Sequence, residues 1–445
     1  MIPLDQTTRG FQEELLRQGV PKRPTVGIVN LGCARNLVDS QVILGRLKRN
    51  GHRIVEPKGA DVAVVNTCSF ITEAKEESVE AILDLLELKK KGKIKKVIVA
   101  GCLAQRYAHE LAEEFKEVDA FVGTLAIDKI GMSPQVLLTP RHYSYVKICE
   151  SCFNQCSFCA IPKMKGKFSS RTIESVLEEV KFLDKKGVKE INIIGQDITA
   201  YGMDIYQQKS LATLLRAIAV STKEIRWIRL LYAFPAHVDG ELIDTMANEP
   251  KICRYVDMPL QHINEDILQK MNRGITKQGT INLLQKIRAA IPEASLRTTF
   301  IVGFPGEGEE QFQELLSFMK DTQFEKAGVF VYSREEGTPA FHFDGQVEEL
   351  TKKRRLDTLM QEQQIISRKL QERFLGKRLD VLVEEKQKGE ENIYLGRSEF
   401  DAPEVDGLVY IHSQDRLSPG DFVTVDITDT HEYDLTGDFV EKVDT

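Results

Sequence analysis

The sequence predicts an α/β multidomain chain: an N-terminal parallel α/β sheet domain, then a partial (β/α)6 barrel of the TIM type, then a C-terminal antiparallel five-stranded β barrel. Three observations lead to this order. Short apolar runs rich in β-branched residues alternate with helical patterns over residues 25–125, and again over 143–370, as in parallel sheets flanked by helices. From residue 377 the pattern changes to closely spaced short strands with turn residues between them, as in a small all-β domain. The cysteines follow the same division, three after strands of the first region and three in a C-x3-C-x2-C loop that opens the second.

Bulk properties narrow the class. The 445 residues are 42% hydrophobic, enough for several cores, and three domains fit this length. No apolar run approaches the roughly 18 residues of a membrane span. The start Met1-Ile-Pro-Leu-Asp-Gln6 lacks a basic stretch followed by an apolar one, so a cytoplasmic location is expected rather than secretion. Eight cysteines in such a chain point to metal or redox chemistry rather than structural disulfides. The net charge of −7 is uneven: residues 377–445 hold 18 Asp and Glu against 7 Lys and Arg, a balance of −11, leaving +4 on the rest.

In the first region the predicted strands are Val26–Leu31, Asp61–Asn66 and Lys96–Ala100, with a helical pattern through Leu37, Val38, Gln41, Val42, Ile43 and Leu47. Cys33, Cys68 and Cys102 each follow one strand. The carboxyl ends of parallel strands share one sheet edge, where ligands bind, so the three thiols are expected to converge. The plainer alternative is three separate buried cysteines, each packing as a small hydrophobe; equivalent placement on three strands favours a metal site. The run Lys89–Lys96 reads as a solvated helix end and turn.

The second region opens with strand Tyr143–Ile148 and the loop bearing Cys152, Cys156 and Cys159. Three thiolates can hold three irons of a four-iron cluster and leave the fourth open to a small molecule. Zinc would want four protein ligands in paired C-x2-C units, and no second pair follows. Helix Thr172–Lys186 presents Ile173, Val176, Leu177, Val180 and Leu183 on one face and stops at Gly187. Strands follow at Glu190–Ile194, Ile225–Tyr232, Tyr255–Pro259, Arg297–Val302 and Ala327–Tyr332. Chemistry in such barrels sits at the carboxyl ends of strands. Gly195-Gln-Asp197, Gln261-His262, Gly303-Phe-Pro-Gly-Glu307 and Tyr332-Ser333 all fall there, and Arg229 lies within a strand. Each is a weak signal alone, and Gln261-His262 reads equally well as a satisfied core pair. A charged helical stretch, Val347–Leu375, leads to barrel strands at Val381–Val383, Ile393–Leu395, Leu408–Ile411, Phe422–Ile427 and Asp438–Val440.

Together these features resemble the methylthiotransferases of the radical S-adenosylmethionine superfamily. The matching segments are Asn30-Leu-Gly-Cys-Ala-Arg-Asn-Leu-Val-Asp-Ser40, Val65-Asn-Thr-Cys-Ser-Phe-Ile71, Ala100-Gly-Cys-Leu103, the cluster loop, Gly195-Gln-Asp197 and Met258-Pro-Leu-Gln-His262. The resemblance implies an N-terminal extension over 1–24, a methylthiotransferase domain with an auxiliary cluster over 25–128, a radical domain over 138–370 and a TRAM domain over 376–441. Leu31–Ser40 and Gly396-Arg-Ser-Glu-Phe-Asp-Ala-Pro-Glu-Val-Asp-Gly407 resemble the branch that modifies an aspartate of small-subunit ribosomal protein twelve. Relatives that act on transfer RNA adenosine share the first two domains and usually differ at the second segment. The charge argues the same way. An RNA-binding barrel should be basic, whereas an acidic one suits a basic ribosomal protein; the plainer reading is acidity for solubility. No membrane and no direct nucleic-acid contact are expected. A scaffold protein keeping its clusters for structure or redox sensing is the other class, disfavoured because each site leaves an iron open.

The resemblance further implies two four-iron clusters. Cys152, Cys156 and Cys159 would hold the one that cleaves S-adenosylmethionine to a 5′-deoxyadenosyl radical. Cys33, Cys68 and Cys102 would hold the auxiliary one, which carries or supplies sulfur. An electron donor such as a flavodoxin or ferredoxin is implied. Phe158 would pack against adenine, and Gln196 and Asp197 match the position that meets the methionine amino group. Arg171, Arg229 and Arg297 are candidates for carboxylate contacts on cofactor or substrate. Two residues depart from the family pattern: Ser151 stands where glycine is usual, tolerable if its φ is ordinary, and Cys149 adds a thiol beside the loop. Cys149 reads as a spare residue rather than an alternative ligand, and Cys253 as core.

Overall fold

The computed structural model describes residues 23–125 and 136–443. Residues 1–22 of the expected N-terminal extension, and the expected end of the first domain at 128, lie outside the described residues. The described residues form two compact units: one holds 23–125 and 136–138 with 145–153 and 159–179, the other 139–144, 154–158 and 180–443.

The first unit is built on strands β1 (Thr25–Asn30), β2 (Arg53–Ile54), β3 (Val62–Thr67), β4 (Lys96–Gly101) and β5 (Ala120–Val122). They lie in the order β2-β1-β3-β4-β5 with parallel pairing. Alternation of side chains sends Ala63, Val65, Val97 and Val99 to one core and Val62, Val64 and Ile98 to another. Helix Thr72–Lys90 covers the first face with Ile82 and Leu85, and helix Ala34–Arg49 covers the second with Leu47. A parallel sheet is buried on both faces in this way. The edge strands β2 and β5, of two and three residues, are too short for a sequence pattern. The lysine run differs in part from a solvated turn, because Lys89 and Lys96 converge on Asp119 at 2.6 and 2.9 Å.

Three strands surround the cysteine loop: β6 (Tyr143–Lys147), β7 (Cys149–Glu150) and β8 (Ser169–Ser170). β7 and β8 pair antiparallel. The larger sheet adds β9 (Glu190–Ile194), β10 (Trp227–Leu230), β11 (Ile252–Asp257), β12 (Ser295–Val302) and β13 (Lys326–Val331) in the order β13-β12-β11-β10-β9-β6. Its resolved pairs are parallel and its two ends are not joined to each other, so it is a partial barrel. β10 is shorter than expected because Tyr232 leaves the strand at φ 70.

Strands β14 (Arg378–Lys386), β15 (Ile393–Ser398), β16 (Val409–His412), β17 (Phe422–Thr430) and β18 (Leu435–Lys442) close a barrel in the order β14-β15-β16-β18-β17. The expected all-antiparallel pairing is corrected at one seam, since β16 and β18 run parallel. Five strands in a closed ring cannot alternate direction everywhere, so one seam must be parallel. The segment between β15 and β16 binds the starts of the larger sheet's strands. The Arg229 guanidinium donates to Glu190 at 2.8 Å and to the Glu399 carbonyl at 2.6 Å. Arg397 reaches Glu190 at 2.7 Å, Lys326 reaches Asp401 at 2.6 Å, and the Tyr255 and Tyr143 hydroxyls donate to Asp406 and Glu404.

Candidate cluster and cofactor sites

The loops after β1, β3 and β4 are tied together by their own polar side chains. Asn36 Nδ2 donates to the carbonyls of Leu31 and Thr67, both at 3.0 Å. Asn66 Nδ2 donates to the Asn36 carbonyl and to Ser40 Oγ, and Ser40 Oγ donates to Asn30 Oδ1. Thr67 Oγ1 donates to the Ala100 carbonyl at 2.6 Å. The residues that carried the family resemblance are thus the ones that knit the strand ends.

The three thiols stand on this framework. A β-carbon on Gly32 would lie 2.7 Å from Cys68 Cβ and 3.0 Å from its sulfur, so only glycine lets the Cys33 loop pass Cys68. Cys102 Sγ lies 3.8 Å from Asn36 Oδ1. Cys33 is the N-cap of helix Ala34–Arg49, where the helix dipole favours an anion. Burial alone would push the Cys33 thiol up, but the adjacent Arg35 guanidinium, whose Nε donates to the sulfur at 3.3 Å, brings it below the ordinary thiol value. Burial pushes Cys102 up to about 12. Among the described residues no three His, Cys, Asp or Glu side chains close on a single ion. A four-iron core holds its thiolates at separate corners, and soft thiols placed after three adjacent parallel strands, one of them with an N–H donor to its sulfur, fit that group.

The C-x3-C-x2-C loop is anchored on both sides of its chain. Ser151 has φ 66, so the condition of an ordinary φ is not met, and its Oγ donates to the Gly166 carbonyl at 2.6 Å. Cys149 is fully buried in β7 opposite Ser170, and Cys253 is buried in β11. Further along, Asn154 Nδ2 donates to Asp197 at 2.8 Å, Ser157 binds the Met271 and Lys270 carbonyls, and Arg273 donates to Cys156 Sγ at 3.3 Å. Each three-cysteine set therefore has an arginine N–H on a sulfur. Arg273 stands 117 residues from Cys156 and carries no local sequence signal; Arg35 lay in plain view two residues past Cys33.

The remaining candidates fall in different places. Phe158 packs on Phe304, Met271 and Ile267 in an apolar cluster, edge-to-face with Phe304 at 6.5 Å. Asp197 follows β9 fully buried, with Thr199 N on one oxygen and Asn154 and His237 on the other. Gln196 precedes it, half-buried. The three arginines are not brought together. Arg171 pairs with Glu179 and bonds the Lys147 carbonyl, Arg229 pairs with Glu190, and Arg297 pairs with Asp257 at 2.8 Å, its Nε 3.6 Å from Asp406. His262 is a buried core residue: its Nδ1 accepts from Asn264 N, and its other nitrogen lies 3.7 Å from Glu307.

Residues 25–123 match the uncharacterized protein family UPF0004, residues 146–319 the radical SAM superfamily, and residues 375–440 the TRAM domain. A protein of Desulforamulus reducens called "Ribosomal protein uS12 methylthiotransferase RimO" is 44% identical over 94% of this chain and 100% of its own length. A protein of the same name from Caldanaerobacter subterraneus is 46% identical over 93% of this chain and 99% of its own. Among solved structures, the radical S-adenosylmethionine methyltransferase TsrM from Kitasatospora setae superposes with a TM-score of 0.51 at 14% identity, over 68% of this chain and 72% of that one, a likeness of fold.

Proposed function

The chain belongs to the RimO family of ribosomal protein uS12 methylthiotransferases, and from that premise we propose that it is a radical S-adenosylmethionine transferase adding a methylthio group to the β-carbon of an aspartate in this ribosomal protein. The observation that carries the reading is the convergence of Cys33, Cys68 and Cys102 at one sheet edge in a chain that also holds the C-x3-C-x2-C loop. When bound, the two four-iron clusters and S-adenosylmethionine supply a carbon-centred radical and a sulfur atom, chemistry that general acid–base groups cannot offer at an unactivated C–H bond.

The protein's own residues then have distinct tasks. Cys152, Cys156 and Cys159 hold the radical cluster, and Arg273 donates to one of its sulfurs. Phe158, backed by Phe304, offers an apolar face to adenine. Gln196 meets the methionine end, while Asp197 holds Asn154 of the cluster loop in place. Arg171, Arg229 and Arg297, each committed to an internal carboxylate, serve the fold. The division at 25–128, 138–370 and 376–441 belongs to the same proposal. So do a cytoplasmic place, a flavodoxin- or ferredoxin-like electron donor, and docking of basic uS12 on exposed barrel acids such as Glu385, Glu390 and Glu391.

The test is peptide mass spectrometry of uS12 from cells that lack their own enzyme and express this chain or its Cys152→Ala variant. A methylthio increment on one aspartate, absent with the variant, is expected. An unmodified uS12 alongside active cleavage of S-adenosylmethionine would turn the reading to transfer RNA adenosine.

A further inference from the structure

Lys165 ends the short helix Ile161–Lys165 that follows the cluster loop. Its side chain is only 5% exposed. The ammonium lies 3.3 Å from Glu150 Oε1 and 3.7 Å from Asp39 Oδ2, yet among the described residues it makes no hydrogen bond. Both acids are instead bonded by Lys147, with Glu150 Oε2 at 2.6 Å. A buried ammonium has three N–H donors to satisfy, and leaving them without an acceptor is costly. The site it needs is close at hand. Ala160 and Met164 of the same helical turn pack on Cys102, with Ile161 against them. Ser69, next to Cys68, donates to Met164 Sδ at 3.2 Å. Asp39 lies on the helix that Cys33 caps.

Resting on the reading of Cys33, Cys68 and Cys102 as the auxiliary cluster site, we propose that Lys165 is a positioning residue for that cluster, its buried positive charge, next in the chain to the Met164 that packs on Cys102, making a bound cluster easier to reduce. Lys147 is committed by hydrogen bonds to both Asp39 and Glu150, so the cations left to meet the thiolate charge of a loaded site are Arg35 and Lys165. A nearby cation stabilises the reduced, more negative state and raises the potential.

The experiment uses the full-length chain with Cys152, Cys156 and Cys159 replaced by Ala, so that only the auxiliary site takes up iron and sulfide. Its midpoint potential is read by reductive titration under electron paramagnetic resonance. Lys165→Met, and Lys165→Gln as a second variant should the first fold poorly, are expected to shift the midpoint to more negative potential, with Lys165→Arg restoring it. Lys147→Met, which removes the same charge from the same ion network, should leave the midpoint in place. An unchanged midpoint in both neutral Lys165 variants at full iron content overturns the proposal, as does an equal shift in Lys147→Met. A parent protein that takes up no iron would instead bring down the auxiliary-cluster reading itself, and this proposal with it.

Discussion

Ser151 precedes the first cysteine of the loop with a left-handed backbone that glycine adopts without steric cost. A β-carbon there costs about 1 kcal/mol, and the bond from its hydroxyl to Gly166 returns about 1 kcal/mol. Ser151→Gly should therefore be close to neutral in denaturant unfolding, whereas Ser151→Ala keeps the strain, loses the bond and should lie about 1 kcal/mol below it. Equal stability of the two variants would contradict this account. The departure from glycine is visible in the sequence; the backbone angle that gives it meaning is not. The placement of Cys33, Cys68 and Cys102 after three strands was legible because a strand-end position is a local property. Arg273 and Lys165 were not, because what they face is set by the fold.

At the scale of elements, the β-branched runs made β1, β3, β4 and β9 readable, since a strand buried on both faces is apolar throughout. The parallel seam of the small barrel left no local trace, because pairing between strands that are not neighbours in sequence has no signature. The same holds for Glu190, the first residue of β9, which binds Arg229 and Arg397 at once. Burial would raise its carboxyl, but the two guanidinium groups outweigh this and hold it below the usual range. Its folded-state pKa is depressed, so the stabilisation is complete above the unfolded value of about 4.3 and fades as pH falls through the folded value. Glu190→Gln leaves two buried arginines without their carboxylate and should cost about 3–5 kcal/mol near neutral pH. Acid unfolding monitored by circular dichroism should show the gap between variant and parent narrowing below pH 4; a constant gap would refute the assignment.

Over the whole molecule, the acidic excess of residues 377–445 is not all surface charge. Asp401 and Asp406 neutralise Lys326 and Arg297, and Glu399 meets Arg254. Under the proposed docking, what remains for a basic partner is carried by exposed acids such as Glu390 and Glu391. Association with uS12 should therefore weaken with added salt, and Glu390→Lys with Glu391→Lys should slow association by a factor on the order of 10; a stopped-flow rate indifferent to both would remove the steering role. The resemblance rested on Gly396–Gly407 as a mark of kinship, and the fold gives those twelve positions a mechanical duty as a keyed joint. A keyed joint makes the small barrel a poor interchangeable module: transplanted between relatives without Glu190, Tyr255, Arg297 and Lys326, it would arrive with buried charges facing no counterpart. Chimeras in this family should therefore exchange both halves of the joint together.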